Sequence, residues 1–241
     1  MLPEDPPARI VVADDLDESL ALLCDHLSAD GHIVFRASDG ATALELVQRE
    51  LPDLVLTDVR MPSLDGFELC RRIKADPVTR LIPVVLVTGL ADRTARLDGI
   101  NAGADEFLSK PVNATELRAR VRSLVRLKRY TDDLDSAESI IISLAMTVEA
   151  RDQYTSGHCE RMALYAAALG EHLALPAEDI AALRRGGYLH DVGKIGIPDS
   201  ILLKPARLTS VETSRMRGHT TIGDRLCGGL RLLKPVRPIV R

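Results

Sequence analysis

Five short apolar runs recur through the first half of the chain: Ile10-Val11-Val12-Ala13, His32 to Phe35, Leu54-Val55-Leu56-Thr57, Val84-Val85-Leu86-Val87 and Glu106-Phe107-Leu108. Runs that are apolar at nearly every residue, rather than at alternate ones, suit strands covered on both faces, as in a parallel sheet. The stretches between them repeat apolar residues three and four apart, as in Leu16, Leu20, Leu23 and Leu27. Helices are therefore predicted over Leu16 to Leu27, Ala41 to Arg49, Phe67 to Lys74, about Ala91 to Ile100, and from Thr115 onward. Regular alternation of strand and helix predicts a doubly wound α/β domain over residues 9–129, preceded by a disordered leader over 1–8. In such sheets ligands bind at the carboxyl ends of the strands.

The residues at those ends are chemically selective. Asp14-Asp15 follow the first run, Asp58 the third, Thr88 the fourth and Lys110-Pro111 the fifth. Three converging carboxylates repel one another unless a hard cation such as Mg²⁺ lies among them. A lysine and a hydroxyl nearby suit a phosphoryl group, one supplying charge and the other a hydrogen bond. Read singly, an acid after a strand is also an ordinary helix cap. The full set in this order favours the phosphoryl site.

On these residues, together with Met61-Pro62-Ser63-Leu64-Asp65-Gly66 and Gly103-Ala104-Asp105-Glu106-Phe107, the first half resembles the receiver domain of two-component response regulators. The resemblance implies a five-stranded, flavodoxin-like parallel sheet. It also implies that Asp58 accepts a phosphoryl group from a sensor histidine kinase. Asp14, Asp15, Asp58 and the backbone carbonyl of Arg60 would hold Mg²⁺, Lys110 and Thr88 would contact the phosphate, and Phe107 would be the aromatic that tracks the switch.

No Gly or Pro interrupts the chain between Pro111 and Gly157. Leu117, Val121, Leu124, Lys128 and Thr131, and then Leu134, Ile141, Leu144 and Val148, keep near-heptad spacing. One reading is a long signalling helix that pairs two chains, with residues 130–150 as a helical linker. The other is two helices parted by the polar segment Thr131 to Ser136.

Everything predicted beyond Ser139 is helical. Met162, Tyr165, Ala166, Leu169 and Leu173 make one apolar face, and Ile180, Leu183, Gly187 and His190 lie on a helix opened by Pro176. The capping box Thr209-Ser210-Val211-Glu212 starts a helix carrying Met216, His219 and Leu226, and Gly193 to Pro198 is a loop. Imidazoles and a carboxylate at His158, His190-Asp191 and His219 are the residue types of a hydrolytic metal centre.

Thr155-Ser156-Gly157-His158, Leu189 to Asp199, Ile201 to Pro205 and His219 to Gly223 together resemble the HD-GYP family of helical phosphohydrolases, over residues 140–241. The resemblance implies cleavage of cyclic di-GMP at a dinuclear iron or manganese centre. His158, His190, Asp191 and His219 would be ligands, with Lys194 facing a substrate phosphate. Tyr154 stands where some members carry a further carboxylate, which argues against a third metal. The family pattern continues into paired histidines, a Gly-Tyr-Pro signature and another ligand Asp that have no counterpart here. The expectation is a truncated module with an incomplete metal site that does not hydrolyse cyclic di-GMP alone. The competing expectation is a regulator that acts by protein contact through a non-catalytic output.

A net charge of -4 argues against a nucleic-acid partner, and no basic recognition helix suggests DNA binding. Four dispersed cysteines without a CxxC, and the lack of a membrane-length apolar run, point to a cytoplasmic bacterial protein. The orphan apolar set Leu226, Leu230, Leu232, Leu233, Val236 and Ile239 is expected to be exposed.

Overall fold

The computed structural model describes residues 6–89, 93–151 and 157–241, with 93–96 described by backbone alone. Residues 1–5 of the expected leader, the first residues of the helix expected from Ala91, and Tyr154, Thr155 and Ser156 lie outside the described residues. The chain forms two compact units, Met1–Asp133 and Leu134–Arg241.

In the first unit all five expected strands form: β1 Arg9–Ala13, β2 Ile33–Ala37, β3 Leu54–Asp58, β4 Val84–Thr88 and β5 Glu106–Ser109. They pair in the order β2-β1-β3-β4-β5, every pair parallel. Helices α1 Asp17–Ala29, α2 Gly40–Glu50, α3 Gly66–Ala75 and α4 Arg93–Asn101 connect them.

Side chains alternate across a strand, so each strand feeds two cores. Ile10, Val12, Leu54, Leu56, Val85 and Val87 meet Leu20, Leu23 and Leu27 of α1. Val11, Ala13, Val55 and Val84 meet Ala43 and Val47 of α2 and Leu69 and Ile73 of α3. The helix-capping acids are Asp39, which accepts from the amides of Ala41 and Thr42, and Asp65, which accepts from that of Glu68. Helix α1 has Leu16 at its N-cap and no side-chain cap, so Asp14 is not its cap.

Helix α5 is continuous over Ala114–Ala150, 37 residues, which decides for the single long helix over two shorter ones. Its expected heptad seam is corrected. Leu117, Val121 and Val125 are buried in the core beside α1, with Leu124 packed against it. Lys128 pairs with Asp132 at 2.5 Å. The first half of that pattern thus records packing within the unit. Further along, Ala145 lies in the core of the second unit and Ile141 packs against it.

The second unit is helical: α6 His158–His172, α7 Ala177–Leu189, a 3₁₀ turn Val192–Gly196, α8 Asp199–Leu202, α9 Ser210–Arg217, α10 His219–Gly228, a second 3₁₀ turn Arg231–Val236 and α11 Arg237–Val240. The segment read as a loop from Gly193 is therefore mostly 3₁₀. The single helix expected from Thr209 is two, parted at Gly218, although its capping box forms as expected.

Two apolar sets are also corrected. Met162, Tyr165, Leu169 and Leu173 are exposed, because α6 turns its small residues Ala163 and Gly170 inward. Leu233 and Val236 are buried with Ala145, Leu189, Cys227 and Val240, whereas Leu226, Leu230 and Ile239 are exposed as expected. All four cysteines are free and buried. Among the described residues no helix is long and apolar enough to cross a membrane.

Leu117 of α5 is 0% exposed and Leu22 of α1 is 51% exposed. Leu117→Ala is expected to destabilise the first unit by about 2–5 kcal/mol through lost transfer energy and a residual cavity. Leu22→Ala should stay within about 0.5 kcal/mol. Urea unfolding followed by circular dichroism distinguishes the two.

Candidate functional site

The carboxyl edge of the sheet brings together residues far apart in the chain. Ala13 pairs with Thr57, Asp58 with Val87, and Thr88 with Ser109, so the ends of β1, β3, β4 and β5 stand side by side. Asp14 and Asp58 are buried, Asp15 is exposed, and carboxylate oxygens of all three lie within 4.8 Å of one another.

The Lys110 ammonium bridges two of them, donating to Asp14 Oδ2 at 2.8 Å and Asp58 Oδ2 at 2.9 Å. Burial works against its charge, but the bonds to Asp14 and Asp58 outweigh that and raise its pKa above the ordinary lysine value. Ser19 Oγ also donates to Asp14 Oδ2, at 2.5 Å, and the Leu16 amide to Asp14 Oδ1 at 3.0 Å. The Val59 amide donates to Asp58 Oδ1 at 2.7 Å.

Thr88 closes β4, and its carbonyl accepts from the Lys110 amide at 2.8 Å. Phe107 is half-buried on β5, its ring so close over Gly99 of α4 that a methyl group there would collide with it. Arg60 lies two residues past Asp58, between β3 and α3.

The second cluster is built at helix ends. His158 opens α6, His190 caps α7, Asp191 precedes the 3₁₀ turn, and His219 opens α10. Donor atoms of His158, His190 and Asp191 lie within 4.8 Å of one another. The rings of His158 and His190 meet edge to face at 5.2 Å. Asp191 is the hub: Oδ2 is 3.3 Å from His190 Nε2 and 2.9 Å from Lys194 Nζ, and Oδ1 is 3.4 Å from His219 Nε2.

Two imidazoles are oriented by backbone. His190 Nδ1 lies 2.9 Å from the Gly187 carbonyl and His219 Nδ1 2.7 Å from that of Met216. A carbonyl only accepts, so each Nδ1 carries a proton and each ring turns its Nε2 toward Asp191, the orientation that metal-ligating histidines adopt. The hydrogen bond to Asp191 raises the His190 pKa against the effect of burial. Burial by itself would raise the Asp191 carboxyl. Hydrogen bonds from His190 and Lys194 outweigh it and hold Asp191 well below the usual carboxylate range.

Two glycines permit this convergence. A Cβ on Gly187 would strike the backbone of Ala163, so α6 and α7 approach backbone to backbone. One on Gly193 would strike the His219 carbonyl, so the turn after Asp191 lies directly on α10.

A residue not anticipated from sequence is Glu149, which is only 7% exposed. Its Oε1 accepts from the amides of His158 at 2.7 Å and Cys159 at 3.1 Å. Burial first, then the Glu149 carboxylate beside it, push the Cys159 thiol up to about 12, which keeps it protonated and able to donate to Glu149.

Two family profiles match the chain: the response regulator receiver domain over residues 10–122 and the HD domain over residues 155–241. The chain thus carries a response regulator receiver domain followed by an HD domain, and it is similar to cyclic di-GMP phosphodiesterases and response regulators. The cyclic di-GMP phosphodiesterase response regulator RpfG of Xanthomonas campestris pv. campestris is 36% identical over 215 residues, covering 81% of this chain and 57% of that protein. The cyclic di-GMP phosphodiesterase of Thermotoga maritima is 31% identical, covering 90% of this chain and 65% of that protein. Response regulator PleD of Caulobacter vibrioides is 48% identical over 132 residues, 55% of this chain and 29% of that one. The chain therefore spans less than two thirds of the length of each of these relatives.

Gly193→Ala is expected to destabilise the second unit by about 1–3 kcal/mol, because the added methyl has only backbone to meet. Gly229, where a Cβ meets nothing within 4 Å, is the control: Gly229→Ala should leave the melting temperature nearly unchanged. Thermal unfolding of the two variants beside the parent checks both.

Proposed function

We propose that this chain is a phosphorylation-controlled response regulator in which Asp58 accepts a phosphoryl group from a sensor histidine kinase. The observation that carries the reading is the Lys110 bridge between Asp14 and Asp58 at the strand ends. One ammonium faces three carboxylates, an all-oxygen donor set that fits a hard cation. Asp14, Asp15, Asp58 and the carbonyl of Arg60 would hold Mg²⁺, which supplies charge to a transferring phosphoryl group. Asp58 is the nucleophile, since it ends the central strand and is less enclosed than Asp14. Phosphorylation adds about 1.5–2 negative charges and new acceptor oxygens. Lys110 can then leave Asp14 for the phosphate, the Thr88 hydroxyl can join it, and the Phe107 ring follows the shift of β4 and β5.

Incubation with acetyl phosphate and Mg²⁺ should give one phosphorylated species on a phosphate-affinity gel. Asp58→Asn should abolish it, and Lys110→Ala should leave two buried carboxylates without their cation and impair it strongly. Undiminished labelling of Asp58→Asn would move the acceptor elsewhere.

For the output, His158, His190, Asp191 and His219 supply nitrogen and oxygen donors that suit iron or manganese. Such an ion supplies Lewis acidity toward a phosphodiester, and Lys194 brings positive charge for its phosphate. A catalytic ion takes about three protein ligands. Among the described residues, donor atoms of His158, His190 and Asp191 lie within 4.8 Å of one another, a set for one ion, and His219 reaches the other oxygen of Asp191. We infer one divalent ion per chain, and cyclic di-GMP hydrolysis absent from this polypeptide alone. Anaerobically purified protein should carry about one iron or manganese, with no turnover, and Asp191→Ala should lose the metal. About two ions with turnover would overturn this reading in favour of a working phosphodiesterase, whereas no metal at all would favour an output that acts by protein contact.

Leu127, Tyr130 and Leu134 form an exposed apolar stripe on α5, at spacings of three and four residues. We propose that two chains pair along it. Sedimentation should give a dimer, and Leu127→Glu with Leu134→Glu should give a monomer.

A further inference from the structure

Helix α6 begins with a metal-ligand candidate, yet its own N-cap residue offers no side chain. Gly157 stands there in a left-handed conformation, φ 68°, with no side-chain cap. The first amides of a helix have no intrahelical partner, and leaving them unsatisfied in a buried position is costly. Glu149, from the last turn of α5, meets that need from nine residues upstream, taking the amides of His158 and Cys159 on a single carboxylate oxygen. A carboxylate at a helix N-terminus is also favoured by the helix dipole.

His158 differs in this respect from the other two histidines. The rings of His190 and His219 are each oriented through Nδ1 by a carbonyl of their own segment. Glu149 grips His158 by its backbone, at the residue where the helix starts, and so determines where the ring begins. The grip is rigid because Glu149 is itself buried and the neighbouring Cys159 is only 2% exposed.

We propose that Glu149 is a positioning residue for the metal centre, holding His158 at the distance and angle at which its imidazole completes the set with His190 and Asp191. The proposal rests on the metal-binding reading of the second cluster. It requires an acceptor oxygen at that place and does not require its charge. Glutamine, whose amide oxygen can take the same two amides, should replace it. Alanine offers no acceptor, and aspartate, one methylene shorter, withdraws the oxygen from them.

The test is Mn²⁺ titration of the full chain followed by electron paramagnetic resonance, with the visible spectrum of the Co²⁺-loaded protein as a second readout. Glu149→Ala is expected to weaken Mn²⁺ binding by about 10–100-fold, the usual cost of losing a group that orients a ligand. At saturating Co²⁺ its ligand-field band should differ from wild type, and Glu149→Gln should restore both affinity and band. A merely structural loss would lower affinity and leave the band in place.

Should Glu149→Ala lack the wild-type circular dichroism spectrum, Glu149→Asp decides in its stead, with the same loss expected. Wild-type affinity and band in the variant that decides would overturn the proposal, as would a loss in Glu149→Gln equal to that in Glu149→Ala. A wild-type chain that binds neither ion would bring down the metal reading itself. Binding that is lost in Asp191→Ala but untouched at Glu149 would bring down the positioning role alone.

Discussion

A parallel sheet covered by helices on both faces leaves charge only one place to stand, at the carboxyl edge where the strands run out. Every residue of β3 is buried, and Asp58 is the last of them. Upstream of it a carboxylate would be enclosed by leucine and valine, at a desolvation cost of several kcal/mol with nothing to offset it. At the edge, Asp58 can reach Lys110 from β5, and Asp14 from β1 can share the same ammonium. The strand order places β1 beside β3, so the two acids are neighbours although more than forty residues separate them in the chain. The rest of the first unit follows from that edge: the helices cover the faces, and the loops carry the chemistry.

The second unit meets the same constraint by other means. Helices have no common edge, so polar residues converge only where helix ends meet. His158 and His219 begin helices, and His190 and Asp191 follow one. Bringing such ends within a few ångströms needs backbones in contact, which side chains would prevent. Gly187 against Ala163, and Gly193 against the His219 carbonyl, provide that closeness. Precision at the cluster thus comes from residues that bear no chemistry of their own.

Much of this organisation was legible along the chain. The apolar runs marked all five strands, and the acids and the lysine at their ends marked the edge cluster. The unbroken stretch after Pro111 marked α5, and His158, His190, Asp191 and His219 marked the second cluster. Other features were misread for identifiable reasons. The apolar stripe Met162, Tyr165, Leu169 and Leu173 has the spacing of a buried face, yet α6 is drawn inward by Ala163 and Gly170, where small side chains let α7 come close. Leu117 and Val121 fit a heptad equally well as a pairing seam or as an ordinary buried face, because four-residue spacing serves both. Glu149 carried no signal at all: a glutamate nine residues before a histidine belongs to no periodicity, and its role exists only because the last turn of α5 meets the first turn of α6.

Sequence by itself determined most of the elements and which residues carry the carboxylate, imidazole and ammonium groups of the two clusters, since periodicity, end residues and side-chain chemistry are local properties. Tertiary structure alone decided which face of each helix is covered, that one lysine serves two aspartates, that Asp191 is the hub between two imidazoles and a lysine, and that Glu149 holds the first turn of α6. Those are contacts between segments distant along the chain. Their energies depend on desolvation and on distances of a few ångströms, which only the packed molecule defines.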